Sequence, residues 1–269
     1  MSELNFMHEN ISGIYNYCDR WCEKCAYTTR CLLFKQEAER EIKHILQDED
    51  KNDPDILAKD LAEDFKEAFD HIKKFMDEED EEYEEFRKED FRPDEDDDSD
   101  VHNEGFLEED IDDDERPSTY LRNTENALIL HSQKMYKDFY KSYDQISSAI
   151  TTNTPEDCSL NNLRNSLDIL GWYTPQIHVK IKMSYWNKHQ LSRATDPEMA
   201  EIDREMLNVS SRIAFVGIEN CITALKDLQQ KNIEPLITIA SLLTTTKQIQ
   251  GLFEEEFPDA SGYKRPYFD

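Results

Sequence analysis

Four of the six cysteines, Cys18, Cys22, Cys25 and Cys31, fall in the spacing C-x3-C-x2-C-x5-C. Gathered by a short loop, four thiolates share the charge of a soft metal, at about 2.3 Å from zinc, or hold the irons of a cluster. The chain opens Met-Ser-Glu-Leu-Asn, with neither a basic nor an apolar leader region, so a reducing cytoplasm is the expected compartment. Disulfides are then not the expected use of these thiols. Spacing also separates the metals. Zinc ribbons set two C-x2-C knuckles roughly a dozen or more residues apart, and no second knuckle occurs, whereas cluster loops pack their cysteines closely. Cys158 and Cys221 stand alone and read as small core residues. Tyr17, Trp21 and Tyr27 interleave with the cysteines and would screen a metal from water or form a small aromatic core under the loop. Asp19 and Arg20 read as a surface pair.

The segment Cys22-Glu-Lys-Cys25-Ala-Tyr27-Thr-Thr-Arg-Cys31 resembles the C-x2-C-x-(aromatic)-x3-C loop of auxiliary-cluster domains in some radical enzymes and of the iron–sulfur exonucleases of CRISPR adaptation. That resemblance implies a [4Fe–4S] cluster, with zinc as the alternative. Cys18-x3-Cys22-x2-Cys25 also has the spacing of a radical S-adenosylmethionine triad. Those enzymes resemble a partial α/β barrel with one open iron. This chain has no βα alternation, and Cys31 is available as a fourth ligand. Nor can the nuclease's Pro-Asp with a following Glu-x-Lys, or the strands that would hold them, be placed here. The longer run Tyr15-Asn-Tyr17-Cys18-Asp19-Arg20-Trp21-Cys22-Glu23-Lys24-Cys25 is similar to the opening of a group of uncharacterised bacterial helical proteins, which implies one chain-long family and brings no activity with it.

Two other places carry chemical side chains. Glu41-x-x-His44 has the helical spacing of a di-iron ligand pair, but such sites need a second motif and further carboxylates, so an exposed polar pair is the expectation. The stretch from Asp168 to Lys180 is dense in functional groups, and Gly171 and Gly217 suggest two helices crossing closely. A polar pocket near that crossing would draw on His131, Asp168, Trp172, His178, Lys180 and Glu219. No nucleophile, base and orienting group can be assembled from spacing there.

The elements that must position these groups are helices. Glycines number only six, and apolar residues recur at three and four nearly throughout. Capping residues followed by proline, at Asp53-Pro54, Thr154-Pro155 and Asp196-Pro197, mark starts, with Glu234-Pro235 a looser case. Helices are expected at about 30–48, 54–85, 118–150, 155–191, 197–229 and 233–256. The last four, long and joined by short loops, predict an antiparallel four-helix bundle in an all-α protein, preceded by a helical pair and the cysteine loop. Leu160, Leu163, Leu167, Leu170, Ile177 and Ile181 form one core stripe, and Ile202, Met206, Val209, Ile213 and Val216 its counterpart. Pro175, inside the first stripe, should kink its helix.

Charge divides the chain. Sixty acidic against 31 basic residues leave −29, and residues 77–115, with 24 acids and 3 bases, carry −21 of it, leaving −8 elsewhere. Nucleic-acid binding is disfavoured for want of a basic surface, and no run of about 18 apolar residues is present to span a membrane. The expected organisation is a cysteine loop and first helix over 1–50, a second helix with an acidic end over 51–92, a disordered acidic linker over 93–116, the bundle over 117–256 and a tail over 257–269. The first functional reading is an iron–sulfur accessory protein acting in electron transfer or redox sensing on a protein partner. The second is a non-catalytic interaction module with structural zinc, and the third an enzyme using the polar pocket.

Overall fold

The computed structural model describes residues 10–66, 69–70, 126–153 and 158–269, with side chains 153–160 also left out. The acidic linker and the acidic end of the second helix lie outside the described residues. Within them the regular structure is helical and no strand occurs.

Helix α1 is Leu32–Gln47, ended by Asp48 in the left-handed region at φ 54°. Its amide bonds back to His44 and Ile45, closing the last turn. Helix α2 covers residues 54–66, begins at Pro54 and is capped by Asp53, whose Oδ1 accepts the Asp55 N–H at 2.8 Å. Helix α3 is Ala127–Asn153, and Asn126 Oδ1 accepts the Ile129 N–H at 3.1 Å. Helix α4 is Cys158–Arg193 and carries straight through Pro175 with no break in its assignment. Helix α5 is Pro197–Gln230, where Asp196 accepts from Glu198 at 2.9 Å. Helix α6 is Leu236–Glu256.

The chain divides into two compact units: Met1–Asn10 with Tyr27–Leu107, and Ile11–Ala26 with Glu108–Asp269. The division runs through the stretch read above as one N-terminal piece. Cys31 goes with the first unit, while Cys18, Cys22 and Cys25 go with the second.

In the first unit α1 and α2 run antiparallel, joined along a charged seam. Arg40 pairs with Asp64, Lys43 with Glu63 at 2.7 Å, Lys51 with Glu41 at 2.6 Å and Lys59 with Glu49 at 3.0 Å. His44 is buried among these charges; its Nδ1 stands 3.0 Å from Glu49 Oε2 and its Nε2 2.9 Å from Asp60 Oδ2. The expectation of an exposed Glu41–His44 pair is corrected on this point. Glu41 turns to Lys51, and the imidazole goes inward because two carboxylates are there to receive both its N–H groups. The hydrogen bond to Glu49, joined by that to Asp60, raises the His44 pKa above its ordinary value against the opposing effect of burial. The apolar residues Ile42, Ile45, Leu46, Leu57, Leu61 and Phe65 are all exposed, so the hairpin is polar within and apolar without.

The second unit is built on the four long helices. α4 packs most extensively on α5, α3 touches α4 and α6, and α5 touches α6. Met135, Phe139, Ile146 and Ile150 of α3 meet Leu163, Leu167, Leu170, Ile177 and Ile181 of α4 in one core with Ile218, Cys221, Leu225 and Leu228 of α5 and Ile239, Ile249 and Phe253 of α6. The α4 stripe is as its spacing predicts, apart from Leu160, whose side chain lies outside the described residues. The α5 stripe holds only in part. Val209 and Ile213 are buried, but Ile202 and Met206 are about half exposed (51% and 49%), because the first turns of α5 border an open cleft.

The segment 257–269, expected to be a tail, is part of this packing. Phe257, Ala260 and Arg265 are buried, and the 3-10 turn Pro258–Ser261 packs on α5 and α6. Asp269 accepts from Arg212 and Arg265, each at 3.0 Å, and these two guanidinium groups hold its carboxyl far below the ordinary range despite burial.

Candidate functional site

The segment 11–26 is an irregular strap laid on α4. Ile11 and Ile14 are buried, and Gly13, at φ 67°, supplies the left-handed residue that starts the 3-10 turn Ile14–Asn16. The strap is latched by Asp19. Its Oδ2 accepts the Tyr173 hydroxyl, its Oδ1 the Trp21 N–H at 3.2 Å, and its carbonyl oxygen both the Trp172 indole N–H at 3.1 Å and the Gln176 amide. Trp21 then stacks on Trp172, with centroids 5.6 Å apart, and sets its ring edge-on to Tyr173. Lys24 lies over the Trp21 ring at 4.0 Å. Burial and the Asp19 carboxylate together push the Tyr173 phenol well above its usual pKa.

Asp19 therefore has a structural task that the surface-pair reading missed. Its neighbour Arg20 adopts φ 62°, a left-handed conformation uncommon for a side-chain-bearing residue, and this turns the chain between the latch and Trp21. The available signal was an acid lodged between cysteines in a run of aromatics, with aromatics again at Trp172 and Tyr173; spacing alone does not join positions so far apart.

The strap carries three of the cysteines. The Cys18 thiol donates to the Tyr15 carbonyl at 3.4 Å. Cys22 opens a 3-10 turn, Cys22–Lys24, and the Cys25 N–H closes it on the Cys22 carbonyl at 3.1 Å. Residues three apart in such a turn eclipse one another, so C-x2-C places this pair on one side. Cys31, in the other unit, precedes α1 as its N-terminal flanking residue. All four are half-buried; Cys221 is fully buried, and burial drives its pKa up. Cys158 begins α4, and its side chain lies outside the described residues.

Thiolates suit a soft metal or a cluster, which is what the sequence implies for this loop. Among the described residues, no three His, Cys, Asp or Glu side chains are grouped to hold a metal ion.

The residues expected near the α4–α5 crossing disperse. Asp168 and Glu219 are exposed, and His131 is half-buried on α3. Trp172 is taken up by the latch. His178 stands 2.9 Å from the Ser132 hydroxyl, and burial, with Lys182 and Lys137 nearby, lowers its pKa. The close approach involves only one of the two glycines. A Cβ on Gly217 would lie 3.0 Å from Tyr173 Cδ1 and 3.1 Å from Ile177 Cγ1, whereas Gly171 has nothing within 4 Å.

Lys180 does face a cavity, a different one from the pocket sought at the glycines. A 720 Å³ cleft is bordered by the strap, with Tyr15, Tyr17, Cys18 and Arg20, and by facing parts of α4 and α5. Burial lowers the Lys180 pKa, against the opposing pull of Cys18 and Asp19. Buried polar residues also border the cleft: Ser210 accepts from Ser184 and from Asn187, each at 3.2 Å. No protein-family model, curated protein or solved structure matches this chain.

Proposed function

We propose that the chain is a helical accessory protein whose cysteine segment takes up a soft metal, a [4Fe–4S] cluster as first assignment and structural zinc as second, with Cys18, Cys22, Cys25 and Cys31 as ligands. It acts on a protein partner by electron transfer or redox sensing, from an antiparallel bundle of the four long helices. The observation that supports this is a contrast among thiols. Cys221, free and wholly buried, is what packing alone asks of a cysteine, whereas the four clustered thiols are half-open to solvent and three sit on an irregular strap.

A second reading, a non-catalytic interaction module, is favoured by the outward apolar side chains of the α1–α2 hairpin. One preparation separates the two. Protein purified without oxygen is expected to show a broad absorbance at about 400 nm, with iron and sulfide on analysis, lost in the Cys22→Ser/Cys25→Ser variant. Colourless protein with bound zinc moves the assignment to the module. Wild-type protein that retains no more metal than the double variant refutes metal binding in either form.

A further inference from the structure

The Lys180 ammonium is half-buried at the cleft and, among the described residues, has neither a hydrogen-bond acceptor nor an ion-pair partner. Asp19 acts on it from nearby, but that carboxylate already accepts from the Tyr173 hydroxyl and the Trp21 amide; a partly desolvated charge with no bonded partner is unfavourable, and an anion at this place would relieve it. The neighbouring charges leave that place open to an anion. Arg20 and Arg204 border the same cleft; of its two acids, Glu201 is exposed and Glu205 is engaged by the Tyr263 hydroxyl at 2.5 Å.

Apolar surface lies beside the cation. Met183, Ile202 and Met206 border the cleft and are 37%, 51% and 49% exposed. Two of these belong to the α5 stripe that would otherwise be core. Methionine side chains adapt to ligands of varied shape, and the 720 Å³ volume falls within the range of about 300–1,000 Å³ usual for small-molecule sites. Asn187, itself buried, and Ser210 add hydrogen-bonding groups to the same wall.

We propose that this cleft binds an aliphatic carboxylate, its head group on Lys180 and its chain along Met183, Ile202 and Met206. The cleft shares Cys18 with the metal reading, but neither Cys22 nor Cys25 borders it.

The test is titration calorimetry of the full chain with decanoate, decanol and decyltrimethylammonium. Decanoate is expected to bind at least about tenfold more tightly than the other two. Lys180→Met should erase that preference while leaving the thermal melt intact, since it removes a desolvated charge, and Met206→Glu should weaken decanoate binding by a comparable factor. The Cys22→Ser/Cys25→Ser variant should bind decanoate as wild type does, so loss of metal leaves this result standing. Equal affinity for decanoate and decanol, no binding of decanoate, or unchanged preference in a folded Lys180→Met variant overturns the proposal.

Discussion

Asp19→Ala should undo the latch that seats the cysteine strap on α4. The carboxylate receives two bonds, one from the Tyr173 hydroxyl, whose residue is only 5% exposed, and one from the Trp21 amide at 3.2 Å. A hydrogen bond to a charged group contributes about 1.5–3 kcal/mol and a neutral one about 0.5–1.5 kcal/mol. The Trp21 bond also has a charged acceptor but is longer and only part-buried, so it belongs at the lower end. A loss of about 2–4 kcal/mol follows. The bonds from Trp172 and Gln176 end on the Asp19 carbonyl and survive any side-chain change, which bounds the loss from above. Urea unfolding followed by tryptophan fluorescence reads both stability and site, because two of the three tryptophans, Trp21 and Trp172, form the stacked pair. A double-mutant cycle with Tyr173→Phe isolates the charged bond and should give a coupling of about 1.5–3 kcal/mol. A coupling below about 0.5 kcal/mol, within the usual error of additivity, would refute the latch.

The two central glycines should respond in opposite ways. Gly171→Ala gains up to about 1 kcal/mol in helix propensity with nothing in its way, while Gly217→Ala must push Tyr173 and Ile177 aside, so chemical denaturation should rank the first above the second by about 1–3 kcal/mol. The α1–α2 hairpin should depend on pH through His44 and Glu49. The His44 pKa is raised on folding, so its contribution is complete below the free imidazole value of about 6.5 and is lost as pH climbs through the folded value. The Glu49 pKa is lowered, first by His44 and then by Lys59, so its contribution is present above about 4.3 and fades in acid. Protection factors of α1 amides, with the intrinsic base catalysis divided out, should thus be greatest between these limits and fall above neutrality, and His44→Gln should flatten the alkaline limb; a ring titration of His44 at or below about 6.5 contradicts this.

Much of the helical frame was legible because its ends are written locally. Asp53-Pro54 and Asp196-Pro197 cap as their chemistry requires, and the 163–181 stripe is buried as its period predicts. What could not be read depends on partners distant in sequence. His44 is buried only because Glu49 and Asp60 arrive from the turn and from α2, and a three-residue motif does not contain them. Ile202 and Met206 carry the same period as Val209 and Ile213, yet they edge a cleft, since periodicity records which face is apolar and not whether a neighbour covers it. The cysteine loop was the plainest chemical signal, and spacing marks candidate donors without fixing their arrangement.

The charged seam of the hairpin gives its unit an inverted response to ionic conditions. Raising sodium chloride from about 10 mM to 1 M shortens the Debye length from roughly 30 to 3 Å. The partly exposed Arg40–Asp64, Lys43–Glu63 and Lys51–Glu41 pairs then lose most of their attraction, while the buried His44 bonds to Glu49 and Asp60 lose less. The four-helix unit, cohering through an apolar interior, feels little of this. Brine therefore acts as a selective solvent for the smaller unit, loosening the hairpin while the four-helix unit stays folded.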